Sequence, residues 1–432
     1  MRISGLKRSG LVLAATASVC AVAFSGVAPA QAATTTITWL TDNSPAAVKV
    51  ANATVKAFQK ANPDIKVEVH TRGGGTDADN LVKTKLATGN MEDVFNYNSG
   101  ALLAAINPAK TLVDVTKAAF QKNVYDSFKP AVTVNGKVYG SPWGSAMGGG
   151  IYYNIPAFKA AGITTTPKTW AELIADAKKI KATGVDAICG TFGDSWTAQL
   201  FVLADFYNVH AEDPSFAADY TNNKAKYAYL PAALKSFQRL EDTFKAGVYN
   251  SDAATAKYND GVARVTDGKC AMYPMLTFAT QGMAASAAKD VGFFAQPGDN
   301  AKNYGLTTWM PSGMYVPKNT KHLAAALKFQ AFVASKKGTD ARVASEGYVG
   351  PFVTKDQSAA PAGVPQATAD FAALMKTGKT YPALEFISAI KGPNLPGICV
   401  QVATGQVTAK QGAALYDQDV VAQAQQLGLK GW

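Results

Sequence analysis

Apolar positions in this chain recur with two alternating periods. Thr36-Ile37-Thr38-Trp39-Leu40 alternates polar and apolar as a half-buried strand does, and Ala46 to Ala61 then carries Val50, Val55 and Phe58 at helical spacing. Asn62-Pro63-Asp64 breaks that helix, Ile65 to Val69 alternates again, Asp79 to Thr88 reads as helix and Asp93-Val94-Phe95 as a short strand. This β-α-β-α-β order predicts an α/β layer, a mostly parallel sheet with helices on its faces. The rhythm restarts with an amphipathic helix at Thr169 to Ala182, a strand at Ala187-Ile188-Cys189, and helices at Thr197 to Tyr207 and Leu230 to Ala246, so a second α/β lobe follows. Between the two, Val132 to Ile151 holds Gly136, Gly140, Pro142, Gly144 and Gly148 to Gly150, the composition of a hairpin leading into a hinge. A strand at Lys269 to Tyr273, a helix near Phe278 to Ala287, a segment from Val291 to Pro317 and a helix at Lys321 to Ser335 complete the pattern.

The first 32 residues follow a different pattern. Arg2, Lys7 and Arg8 precede the apolar run Leu11 to Phe24 and then Ala30-Gln31-Ala32, which reads as a secretory signal peptide cleaved near Ala33. The apolar run falls short of the roughly 20 residues that span a bilayer. Cys20 follows Ala17-Ser18-Val19, where bulky Val19 fits a lipidation site poorly, so a lipid anchor at Cys20 is not expected. The expected location is extracytoplasmic: secreted, cell-surface or periplasmic.

Length and composition fit two globular domains, with 48% hydrophobic and 17% charged residues in 432. The net charge of +11 includes the three leader cations, and the rest is scattered, as at Lys178-Lys179 and Lys336-Lys337, on what read as solvated helix faces. No basic strip with interleaved aromatics points to nucleic acid. Past the leader, Cys189, Cys270 and Cys399 remain; the compartment permits one disulfide and one free thiol, but the strand contexts of Cys189 and Cys270 read as buried, unpaired small hydrophobes.

Catalytic signatures are missing. His70, His210 and His322 have no metal-clasping neighbours, and no nucleophile-elbow serine occurs. Gly73-Gly74-Gly75 lacks the further elements of a phosphate loop and reads as a flexible loop. Tyr152 and Tyr153 alternate along a strand, so at most one faces any site. Glu92-Asp93 and Glu241-Asp242 are carboxylate pairs that sequence cannot set across a glycosidic bond. No enzyme activity, metal or cofactor is expected. What remains are aromatics near turns, Trp143, Trp196, Phe278, Trp309 and Tyr348, with Asp42, Asn43, Asn98 and Ser99 beyond strand ends, where α/β folds bind ligands. Aromatic planes stack on sugar C–H faces and short polar groups bond hydroxyls. Each aromatic has an equally ready use in packing; Trp39 and Trp170 are assigned to packing alone.

Six segments occur in a telling order: FQKANPDIKVEV (58–69), LATGNMEDV (86–94), VNGKVYGSPW (134–143), IYYNIPAF (151–158), AGITTTPKTWAEL (161–173) and GKCAM (268–272). Together they resemble the family 1 extracellular solute-binding proteins, the sugar-capturing components of ABC importers, from about Thr36 to at least Val353. The resemblance implies a two-lobed periplasmic-binding-protein-like fold, each lobe a mostly parallel sheet flanked by helices, joined by hinge strands. It places the first lobe at 33–142 plus 291–345 and the second at 143–290 plus 346–432. Family contacts map onto Asp42, Asn43, Asn98, Ser99, Trp143 and Phe278, with Trp196, Trp309 and Tyr348 in cleft loops. The function it implies is capture of a mono- or oligosaccharide by a monomer and delivery to an ABC permease. The alternatives are a non-sugar solute such as a polyamine or phosphate ester, or a secreted carbohydrate-active hydrolase. A polyamine suits carboxylates in place of the Trp residues and a phosphate suits an Arg cluster; neither is visible in the sequence around the cleft.

Overall fold

The computed structural model describes residues 34–356 and 360–432. The expected signal peptide and Cys20 lie outside the described residues. The strands are β1 (Thr35–Asp42), β2 (Ile65–Arg72), β3 (Val94–Tyr97), β4 (Thr133–Val134), β5 (Lys137–Val138), β6 (Gly140–Trp143), β7 (Met147–Asn154), β8 (Asp186–Ile188), β9 (Cys270–Leu276), β10 (Val291–Ala295), β11 (Leu306–Trp309), β12 (Ser312–Tyr315) and β13 (Thr380–Pro382). They form a sheet of order β2-β1-β3-β12-β6 and another of order β13-β11-β7-β9-β8, with β10 also on β7; β4 and β5 make a separate hairpin.

Parallel pairing holds for β1 with β2 and β3, β8 with β9, and β11 with β13. The pairs of β12 with β3 and β6, and of β7 with β9, β10 and β11, run antiparallel. Each sheet thus has one reversed strand: β12 runs against β1, β2, β3 and β6, and β7 runs against β8, β9, β10, β11 and β13, while the remaining strands of each sheet share one direction, as expected. The chain leaves the first sheet between Trp143 and Met147 and returns between Trp309 and Ser312. A return at residue 291 was expected; β10 and β11 instead pair with β7, so the first sheet resumes only at Ser312.

Local sequence accounts for the flanking helices. Helix Pro45–Ala61 starts where Ser44 Oγ accepts from the Ala47 amide at 3.2 Å with Pro45 in its first turn, and it buries Val50, Ala51, Val55 and Phe58. Phe58 packs edge-on to Phe329 from helix Leu323–Val333, ring centroids 4.9 Å apart, and Phe329 meets Trp39 at 5.2 Å. Trp39 and Trp170 are both buried, as their packing roles require. Two expected helices differ. The 197–207 segment divides into Leu200–Ala204 and Phe206–Glu212, where buried Asp205 accepts from Ser236 Oγ at 3.0 Å and from Asn208 Nδ2 at 2.8 Å. The 278–287 segment forms two short 3-10 turns, Thr277–Gly282 and Ala285–Ala287.

Cys189 and Cys270, 81 positions apart in sequence, form a disulfide with Cα atoms 5.8 Å apart. This corrects the expectation of unpaired thiols. The parallel pairing of β8 with β9 brings the two cysteine-bearing segments side by side, and that proximity is invisible in sequence. Among the described residues Cys399 is the one free thiol, and it is buried.

Candidate functional site

The ends of both sheets border one cavity of about 380 Å³. Eight of the nine expected site residues line it: Asp42, Asn43, Asn98, Ser99, Trp143, Trp196, Phe278 and Trp309. Tyr348 does not. Its ring instead packs edge-on against Phe352, because the loop after Glu346 presents neighbouring Val349 to the cavity.

The first sheet delivers charge and short polar groups. Asp42 and Arg72 end β1 and β2 in direct register, with their charged atoms 3.9 Å apart. Arg72 Nη2 also donates to the Asn96 carbonyl at 3.2 Å. Ser99 is buried and its hydroxyl donates to the Pro311 carbonyl at 2.8 Å, which ties the loop after β3 to the crossing segment before β12. The second sheet delivers aromatics. Trp196 lies 30° from the plane of Phe278 with centroids 6.2 Å apart, and Tyr258 stands 5.4 Å from Trp196 and 5.7 Å from Phe278, which makes a three-ring wall. Asp194 Oδ2 fixes the base of that wall by accepting from the Tyr258 amide at 2.9 Å.

The glycine triplet differs from the flexible loop expected. Gly75 opens helix Gly75–Thr88, and the Gly74 backbone lies on the indole of Trp196: a methyl group added there would stand 3.0 Å from the ring. Thr76 Oγ1 donates to the Pro393 carbonyl at 3.3 Å beside it.

The crossing segments supply two more indoles. Trp309 Nε1 donates to Glu385 Oε1 at 2.6 Å, and Glu385 Oε2 receives Lys391 at 2.8 Å. Trp143 carries the Arg342 guanidinium 3.9 Å above its ring. Arg72, Asp79, Tyr258, Arg342, Glu346, Glu385 and Lys391 thus belong to the lining and were missed from sequence. The strand-end rule that pointed to Asp42 would have found Arg72 had it been applied to β2.

The lining also holds two arginines and five carboxyl residues, where neither an arginine cluster nor carboxylates were visible in sequence. Five carboxyl residues, Asp42, Asp79, Asp194, Glu346 and Glu385, face three cations, Arg72, Arg342 and Lys391. Burial pushes the carboxyls of Asp42, Asp79 and Glu346 above their usual range, opposed in turn by Arg72, by Lys391 and Arg72, and by Arg342. Asp42 keeps 51% of its side-chain surface, so its carboxyl is open to the cavity. Among the described residues no group of His, Cys, Asp and Glu is arranged to hold a metal ion.

The sequence pattern of the bacterial extracellular solute-binding proteins matches residues 39–340. The chain belongs to that family. An uncharacterised ABC transporter extracellular-binding protein of Pyrococcus horikoshii is 26% identical over 284 residues, 65% of this chain and 64% of that one. The sn-glycerol-3-phosphate-binding periplasmic protein of Escherichia coli is 25% identical over 354 residues, 77% and 78% of the two chains. Among solved structures, a chitin oligosaccharide binding protein superposes with a TM-score of 0.78 at 21% identity, over 90% of this chain and 99% of its own. The protein RafE in complex with raffinose gives 0.73 at 20% identity, over 91% and 100%. These likenesses establish the two-lobed periplasmic-binding-protein-like fold. Solute-binding proteins of ABC transporters bind small molecules and work with a membrane permease, and among the described residues no helix is long and apolar enough to cross a membrane.

Proposed function

We propose that this solute-binding protein captures an uncharged mono- or oligosaccharide between its two sheets and presents it to an ABC permease. The observation that carries the reading is the wall of Trp196, Tyr258 and Phe278 along one side of the cavity. Sugar rings stack their C–H faces on aromatic planes, and Asp42, Asn43 and Asn98 provide hydroxyl partners from the facing sheet. Trp309 borders the same space. The lobes take 143–147 and 309–312 as their hinge segments, and no bond is made or broken.

A phosphate ester is the reading that the Escherichia coli relative raises, since its name specifies glycerol phosphate. Here each arginine stands beside a carboxylate, Arg72 by Asp42 and Arg342 by Glu346, and the excess of carboxyls repels an anion.

Thermal unfolding in the presence of mono- and oligosaccharides, glycerol 3-phosphate and spermidine tests the proposal. A ligand at about 100 times its dissociation constant adds about 2.7 kcal/mol, a midpoint rise of roughly 3 °C for a chain of this size. A rise confined to saccharides is expected. A rise with glycerol 3-phosphate or spermidine and none with saccharides refutes the assignment, and release of reducing ends from a glycan refutes the binding role.

A further inference from the structure

Arg342 and Glu346 lie one turn apart on helix Lys336–Glu346, and both line the cavity. Arg342 Nη2 donates to Glu346 Oε1 at 2.9 Å, and the side chains keep only 8% and 1% of their accessible surface. The pair does not complete itself. Among the described residues, Nε and Nη1 of Arg342 and Oε2 of Glu346 have no hydrogen-bond partner. The ion pair of Arg264 and Asp252, away from the cavity, is by contrast bidentate, with both bonds at 2.7 Å. A buried charged donor or acceptor without a partner is costly, so an unfinished pair facing a binding cavity calls for a ligand to finish it.

The surroundings make the arginine rigid. Its guanidinium lies on Trp143, which meets Trp39 edge-to-face at 4.9 Å, and Trp39 is fixed by donating to Asn96 Oδ1 at 2.9 Å. One face of Trp143 is therefore covered, so on that side the indole supports Arg342 and offers no stacking surface to a sugar.

We propose that Arg342 and Glu346 are specificity-determining ligand contacts that read two neighbouring hydroxyls of the saccharide, Arg342 donating to one oxygen and Glu346 accepting from the other. The inference rests on the saccharide reading of the cavity. An anionic group would satisfy Arg342 and leave Glu346 Oε2 unpaired against it, and an ammonium would do the reverse. Adjacent hydroxyls, each both donor and acceptor, complete the two together and preserve the neutrality of the pair.

The test is calorimetric titration of the wild type, Arg342→Met, Glu346→Gln and Trp196→Ala with glucose, galactose, maltose, raffinose, xylobiose and N,N′-diacetylchitobiose. The monodeoxy derivatives of the tightest binder follow. Removing either of two neighbouring hydroxyls should weaken wild-type binding roughly 10- to 100-fold, and Arg342→Met or Glu346→Gln should weaken the parent sugar by a similar factor. Each variant combined with the deoxy sugar lacking its partner hydroxyl should show no further loss, a non-additivity that a purely structural role does not produce. If a variant fails to fold, the deoxy series on the wild type decides, and losses at non-neighbouring positions overturn the proposal. Losses that multiply, or variants that bind normally while Trp196→Ala does not, overturn the pairing and leave the saccharide reading standing. Wild type that binds none of these sugars overturns both.

Discussion

Removing the Cys189–Cys270 disulfide is the perturbation whose size follows most directly from the structure. The bridge joins positions 81 apart, and the chain-entropy relation for a loop of that length gives about 4.5 kcal/mol of constraint lost from the unfolded chain. Both cysteines are buried among Tyr258, Val262, Val265 and Tyr273, and replacing both by Ala leaves no polar atom behind and opens little space. An unfolding entropy near 2.1 cal/mol/K per residue, taken over the compact unit Thr34–Trp432, comes to about 0.8 kcal/mol/K. The double variant should therefore melt about 5 °C below the wild type in differential scanning calorimetry, and dithiothreitol should lower the wild type toward the same midpoint. Thiol titration of the unfolded, unreduced chain beginning at Thr34 should count one reactive group, Cys399. Three reactive thiols, or a double variant that melts with the wild type, would refute the reasoning. The position of the bridge adds a functional consequence, because β9 runs from Cys270 to Leu276 and leads directly into Phe278 of the aromatic wall. Loss of affinity in excess of the stability change would show that the bridge also positions that ring.

Other perturbations test other parts of the argument. Trp196→Ala should weaken saccharide binding at least roughly tenfold in calorimetric titration while leaving the melting midpoint within a few degrees, since aromatic contacts dominate such sites. Gly149→Ala sets a methyl group into the ring of Trp309, so urea unfolding should show a loss of about 1–3 kcal/mol, and indole fluorescence should report the displaced ring. Asp114 is held at about 2, below its usual 3.8, by hydrogen bonds from the Thr116 hydroxyl and amide and by Lys137. A depressed carboxyl stabilises the fold above its unfolded pKa and loses that contribution as pH falls from about 4 toward 2, so wild type should lose more stability than Asp114→Asn across that interval in acid denaturation.

Periodicity carried most of the fold because it reports burial over many residues at once. The alternation in 36–40 and 65–69 and the helical spacing of Val50, Val55 and Phe58 identified β1, β2 and the helix between them. The same logic reached Asp42, Asn98 and Trp196, which stand where regular elements stop and side chains are released toward a ligand. Pairing across the molecule carries no such local trace. Neither the disulfide nor the attachment of β10 and β11 to the second sheet follows from the segments involved, since both depend on which strand lies beside β7 and β9.

Arg342 and Glu346 show why the polar half of the cavity was the harder part. The helix that carries them reads KKGTDARVASE, and an Arg–Glu pair at i, i+4 in so polar a segment has the pattern of a solvated surface. Its meaning changes only because residues remote in sequence close over it. Trp143 comes from the first crossing of the chain, Trp39 from β1, and Gly144 leaves room beside Nη2, where an added methyl group would lie 3.8 Å away. Burial turns a pair worth a few tenths of a kcal/mol in water into one in which every unmatched donor and acceptor matters. Aromatic residues near turns can be suspected from sequence because they are conspicuous wherever they stand, whereas a charged residue becomes informative only when the fold removes its water. On the proposed saccharide reading, selectivity resides chiefly in side chains that look ordinary along the chain, and stacking of the sugar ring in those that do not.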